Sequence, residues 1–374
     1  MSSSPFIQSR ISAARFLVVG CGALGNEVLK NLVLMGARHL TVVDFDRVEM
    51  GNLSRSVLFS RAHAGLWKVD VVAERLREMN PDVTVQTVCG DVAYDLGLGL
   101  VRQQDVVLGC VDNRWARYCI NRLCMRAGVP WVDGGIDTLE GTVRVFAPGR
   151  NCYACNLGPE GLKDLARRMP CSGMIRREEA AGHAPTTVLS ASVVGAVQVQ
   201  EALKLLHPEA LSEGKLTSLC GKMYYYEGAS LSGRVADFAA YDPECPVHEC
   251  WAPVQPTSVT PRTPVGEALS RLQEELQCPS VSLELTGDCF VDYVVRRDND
   301  SRREVMLPGR AVAAFVERDP ELGGLPFSSL YQHEFRTVDS GFPYPSLSLE
   351  ALGIPARDVL KVCAPARDYY MEMA

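Results

Sequence analysis

The spacing of apolar residues divides the first two thirds of the chain into short apolar runs and longer amphipathic stretches. Phe16 to Gly20, FLVVG, is a continuous apolar run rich in β-branched residues, the pattern of a buried strand. It passes through GCGALG into NEVLKNLVLMG, whose apolar residues recur at helical spacing, so strand, glycine turn and helix are predicted in succession. HLTVVDFD predicts a second strand, and VDVVAERLREM after Lys68 an amphipathic helix that Asn80-Pro81 ends. VTVQTVCGDV alternates as a strand does. DVVLGCVDN reads as a buried strand running into a turn, NRWARYCINRLCMRAG as a helix, and WVDGG and GTVRVFAPG as two more strands. TTVLSASVVGAVQVQEALKLL predicts a long helix with small residues along one side, suited to close packing, with a second subunit as one candidate partner. Beyond residue 252 the pattern changes. WAPVQPTSVTPRTP is rich in proline and threonine and marks a linker at 253–263. Residues 264–374 read as a smaller α+β domain, with a helix at VGEALSRLQEEL and strands at VSLEL, CFVDYVVRR and REVMLP.

The alternation of strand and helix over residues 1–252 predicts a doubly wound, Rossmann-like α/β sheet. Gly20, Gly22 and Gly25 leave room for a tight turn, so that the helix beginning near Ala23 can present bare N–H groups to a phosphate. Asp44 stands about 20 residues beyond, where an acid can hold a ribose hydroxyl, and Asp46 follows it. An NAD dehydrogenase would fit the glycines equally well. NLSR places Asn52 and Arg55 just past the second strand, and Lys68 starts the next helix. Either cation alone is by default a surface residue. Together, beside a triphosphate, they point to phosphoryl chemistry, because ATP cleavage needs positive charge where charge develops. Asp112 and Asn113 end the strand DVVLGCVDN, where open α/β sheets place ligand residues, although an aspartate there can also cap the following helix.

The net charge of −7 over 374 residues supplies no basic field for nucleic acid. The sequence opens without a signal-peptide pattern, and no run approaches membrane-spanning length. The fourteen cysteines are dispersed, and several lie in apolar segments; reduced thiols in a cytoplasmic protein are expected.

GCGALG, VVDFD, NLSR, Lys68 and VDNRWAR, together and in this order, resemble the adenylation domain of ubiquitin-activating (E1) enzymes, which share these motifs with bacterial enzymes that adenylate the sulfur carriers of molybdopterin and thiamine synthesis. The resemblance covers roughly the first 250 residues. It implies that Asp112 binds Mg²⁺, that ATP is the substrate, and that a ubiquitin-like protein is activated at its C-terminal carboxylate. Family habit implies a homodimer. A heterodimer is the alternative, because the helix that carries an arginine into the partner's active site is short here, leaving Arg10 as the candidate and Arg15 beside the strand. The glutamine that follows NLxR in the family is Ser56 in this chain.

Cys152 and Cys155 in NCYAC, with DPECPVHEC downstream, predict a closed, structural zinc site. Cys245 supplies the third ligand; strict spacing selects His248 as the fourth, whereas the four-thiolate habit favours Cys250, which is the expected ligand. Between these pairs Cys171 is flanked by Arg167, Arg168, Arg176 and Arg177, and guanidinium groups favour the thiolate an attacking sulfur needs. MPCSGMIRR resembles the segment holding the E1 catalytic cysteine, in a crossover loop placed at about 157–185, with a free loop thiol as the plain alternative. LSLEALGIPARDVLKVCAP followed by YYMEM resembles the end of the ubiquitin-fold domain through which E1 enzymes recruit a conjugating (E2) enzyme. Three functions stay open: a full E1, a carrier-protein adenylyltransferase that stops at the adenylate, and a non-catalytic scaffold or nicotinamide-binding protein.

Overall fold

The computed structural model describes residues 6–168, 186–238 and 240–374. They fall into two compact units whose main division lies between Cys250 and Trp251, two residues before the expected boundary, while Gly97–Gly99 and the described residues from 159 to 168 group with the second unit. Along the chain before Trp251, α1 (Gln8–Ala13), β1 (Arg15–Val19), α2 (Ala23–Leu34), β2 (His39–Val43), α3 (Lys68–Met79) and β3 (Thr84–Val88) follow one another. After α4 (Leu98–Arg102) come β4 (Val106–Gly109), α5 (Arg114–Ala127), β5 (Trp131–Ile136), β6 (Glu140–Phe146), α6 (Tyr153–Arg168), α7 (Val188–Leu205), α8 (Pro208–Ser212), β7 (Lys222–Glu227) and β8 (Ser232–Asp237).

The strands form one eight-stranded sheet in the order β3-β2-β1-β4-β5-β6-β7-β8. β3 through β5 run parallel, and β6, β7 and β8 add antiparallel strands at one side. Parallel strands covered on both faces read as unbroken apolar runs, and β1 obeys: Phe16 and Val18 are fully buried. They share a core with Val28, Leu29 and Leu32 of α2, Val72 and Leu76 of α3, and Val194 and Leu203 of α7. The chain leaves β1 toward β2 on one side and returns through β4 on the other, so the ends of β1 and β4 flank a reversal of strand order, where such sheets bind ligands.

The structure supplies a partner for one element and corrects two expectations. The small-residue side of α7 packs inside its own chain: a Cβ on Gly195 would lie 3.0 Å from the Cβ of Glu27 on α2, and Val194 fills the space left by Gly141 on β6. Residues 157–168, expected in a loop, belong to α6, which Gly158 interrupts with φ 64°; the buried Leu165, with Leu162 one turn earlier, gives this stretch an apolar face. The expected linker is also structured, as β9 (Val254–Pro256) pairs parallel with β16 (Asp368–Glu372), and Val259 is fully buried.

The second unit is α+β, as the pattern implied. After β9 it contains α9 (Val265–Leu276), β10 (Ser282–Glu284), β11 (Phe290–Arg296), β12 (Arg302–Pro308), α10 (Gly309–Arg318), β13 (Leu330–Phe335), β14 (Thr337–Val338), β15 (Val359–Cys363) and β16. A five-stranded sheet, β14-β10-β15-β16-β9, shares a core with α9 through Ala268, Leu272, Leu283 and Val362, and a three-stranded sheet, β12-β11-β13, packs with α10 through Val291, Val294 and Val312. If Val259 were in a linker, Val259→Asp would be silent. In this fold an unpaired carboxylate among Leu269, Leu283 and Met371 should cost several kcal/mol and lower the urea midpoint of the second unit, followed by tyrosine fluorescence.

Candidate nucleotide-binding and metal sites

The turn between β1 and α2 is shaped by what two glycines lack. Gly20 has φ 97°, and a Cβ there would stand 2.5 Å from the carbonyl oxygen of Cys110, so only glycine lets the end of β1 lie against the end of β4. A Cβ on Gly25 would fall 1.9 Å from the oxygen of Gly20. Gly22 differs, because it is the N-cap of α2, has ordinary extended backbone (φ −70°, ψ −159°), and its missing side chain faces open space. No side chain caps this helix, so its first N–H groups, from Ala23 onward, suit an anion.

Two polar side chains hold the turn. Asp44, just past β2, accepts the Cys21 N–H on Oδ2 at 2.7 Å and the Asp46 N–H on Oδ1 at 2.8 Å. Burial pushes this carboxyl up, and Lys68 and the two backbone donors only partly offset that. Each carboxylate oxygen keeps a lone pair beyond the bond it makes here. Asn26, fully buried on α2, donates to the carbonyls of Cys21 at 2.7 Å and Gly22 at 3.0 Å and accepts from Leu58 N–H at 2.8 Å, tying the glycine turn to the segment after NLSR. Sequence reasoning missed Asn26; its signal is an amide on the apolar side of an otherwise regular helix.

The cations are placed with partners. Lys68, the first residue of α3, is nearly buried and bonds Asp46 Oδ2 at 2.8 Å. Burial pulls its pKa down, but the fields of Asp44 and Asp46 and the bond to Asp46 outweigh this and hold it above the ordinary lysine value, so the ammonium stays charged. Arg55 is half-buried and donates to the Gly51 carbonyl at 2.9 Å, while Asn52 accepts the Glu49 N–H at 2.9 Å and so fixes the 3₁₀ turn Met50–Asn52. Ser56 is buried, and its hydroxyl makes no hydrogen bond among the described residues. Within this chain the guanidinium of Arg10 forms a two-pronged pair with Glu209 of α8 and also reaches the Leu206 carbonyl.

Asp112 lies exposed beyond the end of β4. The cap of α5 is Asn113 rather than Asp112, since the Asn113 side chain accepts the Ala116 N–H at 2.8 Å and its amide contacts Asp112 Oδ1 at 3.3 Å. An exposed carboxylate supplies the hard oxygen that Mg²⁺ takes together with phosphate oxygens, so the donor chemistry here fits that ion.

A separate cluster gathers the thiols of Cys152, Cys155 and Cys245 with the imidazole of His248, their ligand atoms all within 4.8 Å of one another. Cys250, the expected fourth member, is not among them: it is exposed, and its sulfur points to the Arg126 carbonyl at 4.0 Å. The turn holding His248 N–H to the Cys245 carbonyl directs the imidazole inward, where it stacks on Tyr241. A tetrahedral ion with Zn–S bonds of about 2.3 Å sets neighbouring sulfurs about 3.8 Å apart. Cys152 lies 3.7 Å from Cys155 and 3.8 Å from Cys245, which fits zinc. His248→Ala should therefore lower zinc content measured by plasma emission, and Cys250→Ala should leave it unchanged; the reverse pattern would restore the four-thiolate set. Cys171, Arg176 and Arg177 lie outside the described residues, and Arg167 and Arg168 close α6.

Comparison with known proteins accords with this geometry. The ThiF family matches residues 3–247. The SAMP-activating enzyme E1 of Haloferax volcanii is 34% identical over 242 residues, 64% of this chain and 82% of that protein. Molybdopterin-synthase adenylyltransferase of Haemophilus influenzae is 30% identical over 61% of this chain and 86% of its own length. Mouse adenylyltransferase and sulfurtransferase MOCS3 is 33% identical over 64% of this chain, which spans about half (48%) of it. The crystal structure of E. coli MccB shares the fold, with a TM-score of 0.51, 20% identity, and coverage of 64% of this chain and 66% of that one. Glycine turn, Asp44, Lys68 and Asp112 thus sit on a matching sequence and a matching fold, and the chain belongs to the ThiF family of E1-like adenylyltransferases.

Proposed function

We propose that this protein adenylates the C-terminal carboxylate of a ubiquitin-like protein and then captures the acyl group as a thioester on Cys171. The observation that carries the first step is the uncapped N-terminus of α2 beside the charged Lys68, with Asp44 holding the turn open between them. A carboxylate oxygen of the carrier attacks the α-phosphorus of ATP, the bond to the β-phosphate oxygen breaks, and pyrophosphate leaves. Both reactants are anionic. Arg55 and Lys68 supply fixed positive charge where the transferred phosphoryl group passes, Asp44 orients the ribose, and Asn52 shapes the turn that carries Arg55. Mg²⁺ held by Asp112 would supply further charge neutralisation on the phosphates. In the second step the Cys171 thiolate attacks the acyl carbon and AMP departs with its electron pair.

The arginine-flanked sequence around Cys171 and the α+β unit at 251–374 favour an E1 that passes its thioester to an E2 partner, with the second unit as a ubiquitin-fold docking domain. Likeness to the Haemophilus and mouse enzymes supports a second reading, in which the chain activates a sulfur carrier and stops at the adenylate. A homodimer is the assembly we propose for either, with the zinc site structural.

Carrier-dependent pyrophosphate–ATP exchange should be present in the wild type and fall at least a hundredfold in Lys68→Met, the loss of about 3 kcal/mol typical of removing one charge-stabilising donor. Cys171→Ala should keep exchange but lose the reductant-sensitive carrier adduct on gels. Exchange with no adduct in the wild type would select the sulfur-carrier reading, and no exchange at all would sink both.

A further inference from the structure

Deep within β5 sits a carboxylate that the reaction above does not use. Asp133 is fully buried, with Arg117 Nε 3.0 Å from one oxygen and Arg144 Nη2 2.5 Å from the other. Both arginines are themselves largely covered. Such a pair is a poor device for stability, because desolvating the charges costs about as much as their attraction returns, and well-packed apolar groups would serve as well. What an apolar group could not do is grip the backbone beyond the strands.

The parallel ladder between β4 and β5 ends with Gly109 opposite Asp133. Two carbonyls past that point, Val111 on one side and Gly134 on the other, both accept from Arg117 Nη2, at 2.6 and 3.1 Å. Inside the ladder Gln198 of α7 makes the matching clamp, donating to the carbonyls of Gly109 at 3.0 Å and Val132 at 3.1 Å. Gln198 thus closes the strands, and Arg117 closes the turn that follows them. Val111 immediately precedes Asp112, and Asn113 caps the helix on which Arg117 sits one turn later. The turn carrying Asp112 is therefore pinned at its start by Arg117 and at its end by the helix cap.

We propose that Arg117, locked by Asp133, is a positioning residue that sets how firmly the Asp112 turn holds a divalent cation beside a bound nucleoside triphosphate. The proposal rests on the adenylation reading above. Its physical basis is the planar guanidinium: three donor contacts in one rigid fork fix the Val111 carbonyl against Asp133, and a lysine, a single point charge, cannot reproduce them.

The test titrates Mn²⁺ against the full-length protein saturated with ATP, with free Mn²⁺ read by electron paramagnetic resonance, and needs no turnover. Arg117→Lys should lower the unfolding midpoint, because buried carbonyls lose their donor, yet in the folded variant it should weaken Mn²⁺ binding about tenfold while leaving metal-free ATP affinity near wild type. In carrier-dependent exchange the same variant should need about tenfold more Mg²⁺ for half-saturation and recover most of its rate at high Mg²⁺. Asp133→Glu, which keeps the ion pair and displaces the fork, should shift both readouts in the same direction and serves if Arg117→Lys does not fold. Unchanged Mn²⁺ affinity in a folded variant, or loss of metal-free ATP binding to the same extent, would overturn the proposal. Absence of exchange in the wild type would instead overturn the adenylation reading, and the inference with it.

Discussion

One carboxylate, that of Asp44, holds the turn between β1 and α2 from the neighbouring strand, and most of the site follows from it. A chain leaving a buried strand and entering a helix within a few residues exposes several N–H groups at once, and these need fixed directions to be of use. Asp44 takes the Cys21 N–H, turning the loop toward β2, and its other oxygen takes the Asp46 N–H, which sets the start of the next segment. Asp46 then holds Lys68, so that one short acidic stretch aligns both the helix terminus and the cation beside it. Asn26 completes the arrangement from below by bonding the turn and the Leu58 backbone together.

Glycine has a different task at each of the three positions. Gly20 and Gly25 are required by the protein itself, since their neighbours occupy the space a side chain would need. Among the described residues no contact requires Gly22, as its backbone is ordinary and its surroundings are open. Among the described residues, the space beside this N-cap glycine is open to something outside the chain, which is how the proposed adenylation would use it.

Elements whose signal is local were legible in the sequence. The apolar runs of β1, β2 and β4, the amphipathic α3 and α5, and α9 with β11 and β12 all lie where periodicity put them, because each buries a face defined by its own residues. Legibility failed where a long-range partner decided the outcome. Proline and threonine in 253–263 looked like a linker, yet β9 is recruited by β16 more than a hundred residues later, and Val259 is buried by the same unit. The small residues of α7 implied close packing without naming the partner, which within this chain is α2. At the cysteine–histidine cluster the four-thiolate habit pointed to Cys250, whereas among the described residues it is His248, in the turn after Cys245, that joins the three thiols. Asn26, Arg117 and Asp133 were missed because single polar residues inside apolar segments carry no period; only their burial and partners reveal them.

The central claim is that the open space at Gly22 is a phosphate seat. Gly22→Ala keeps an allowed backbone, and its Cβ has no described atom within 4 Å, so its unfolding free energy should stay within about 1 kcal/mol of wild type, the scale of a changed helix cap. Isothermal titration with ATP is the decisive measurement. The account predicts that binding is lost in this folded variant, and ATP binding at wild-type affinity would contradict it.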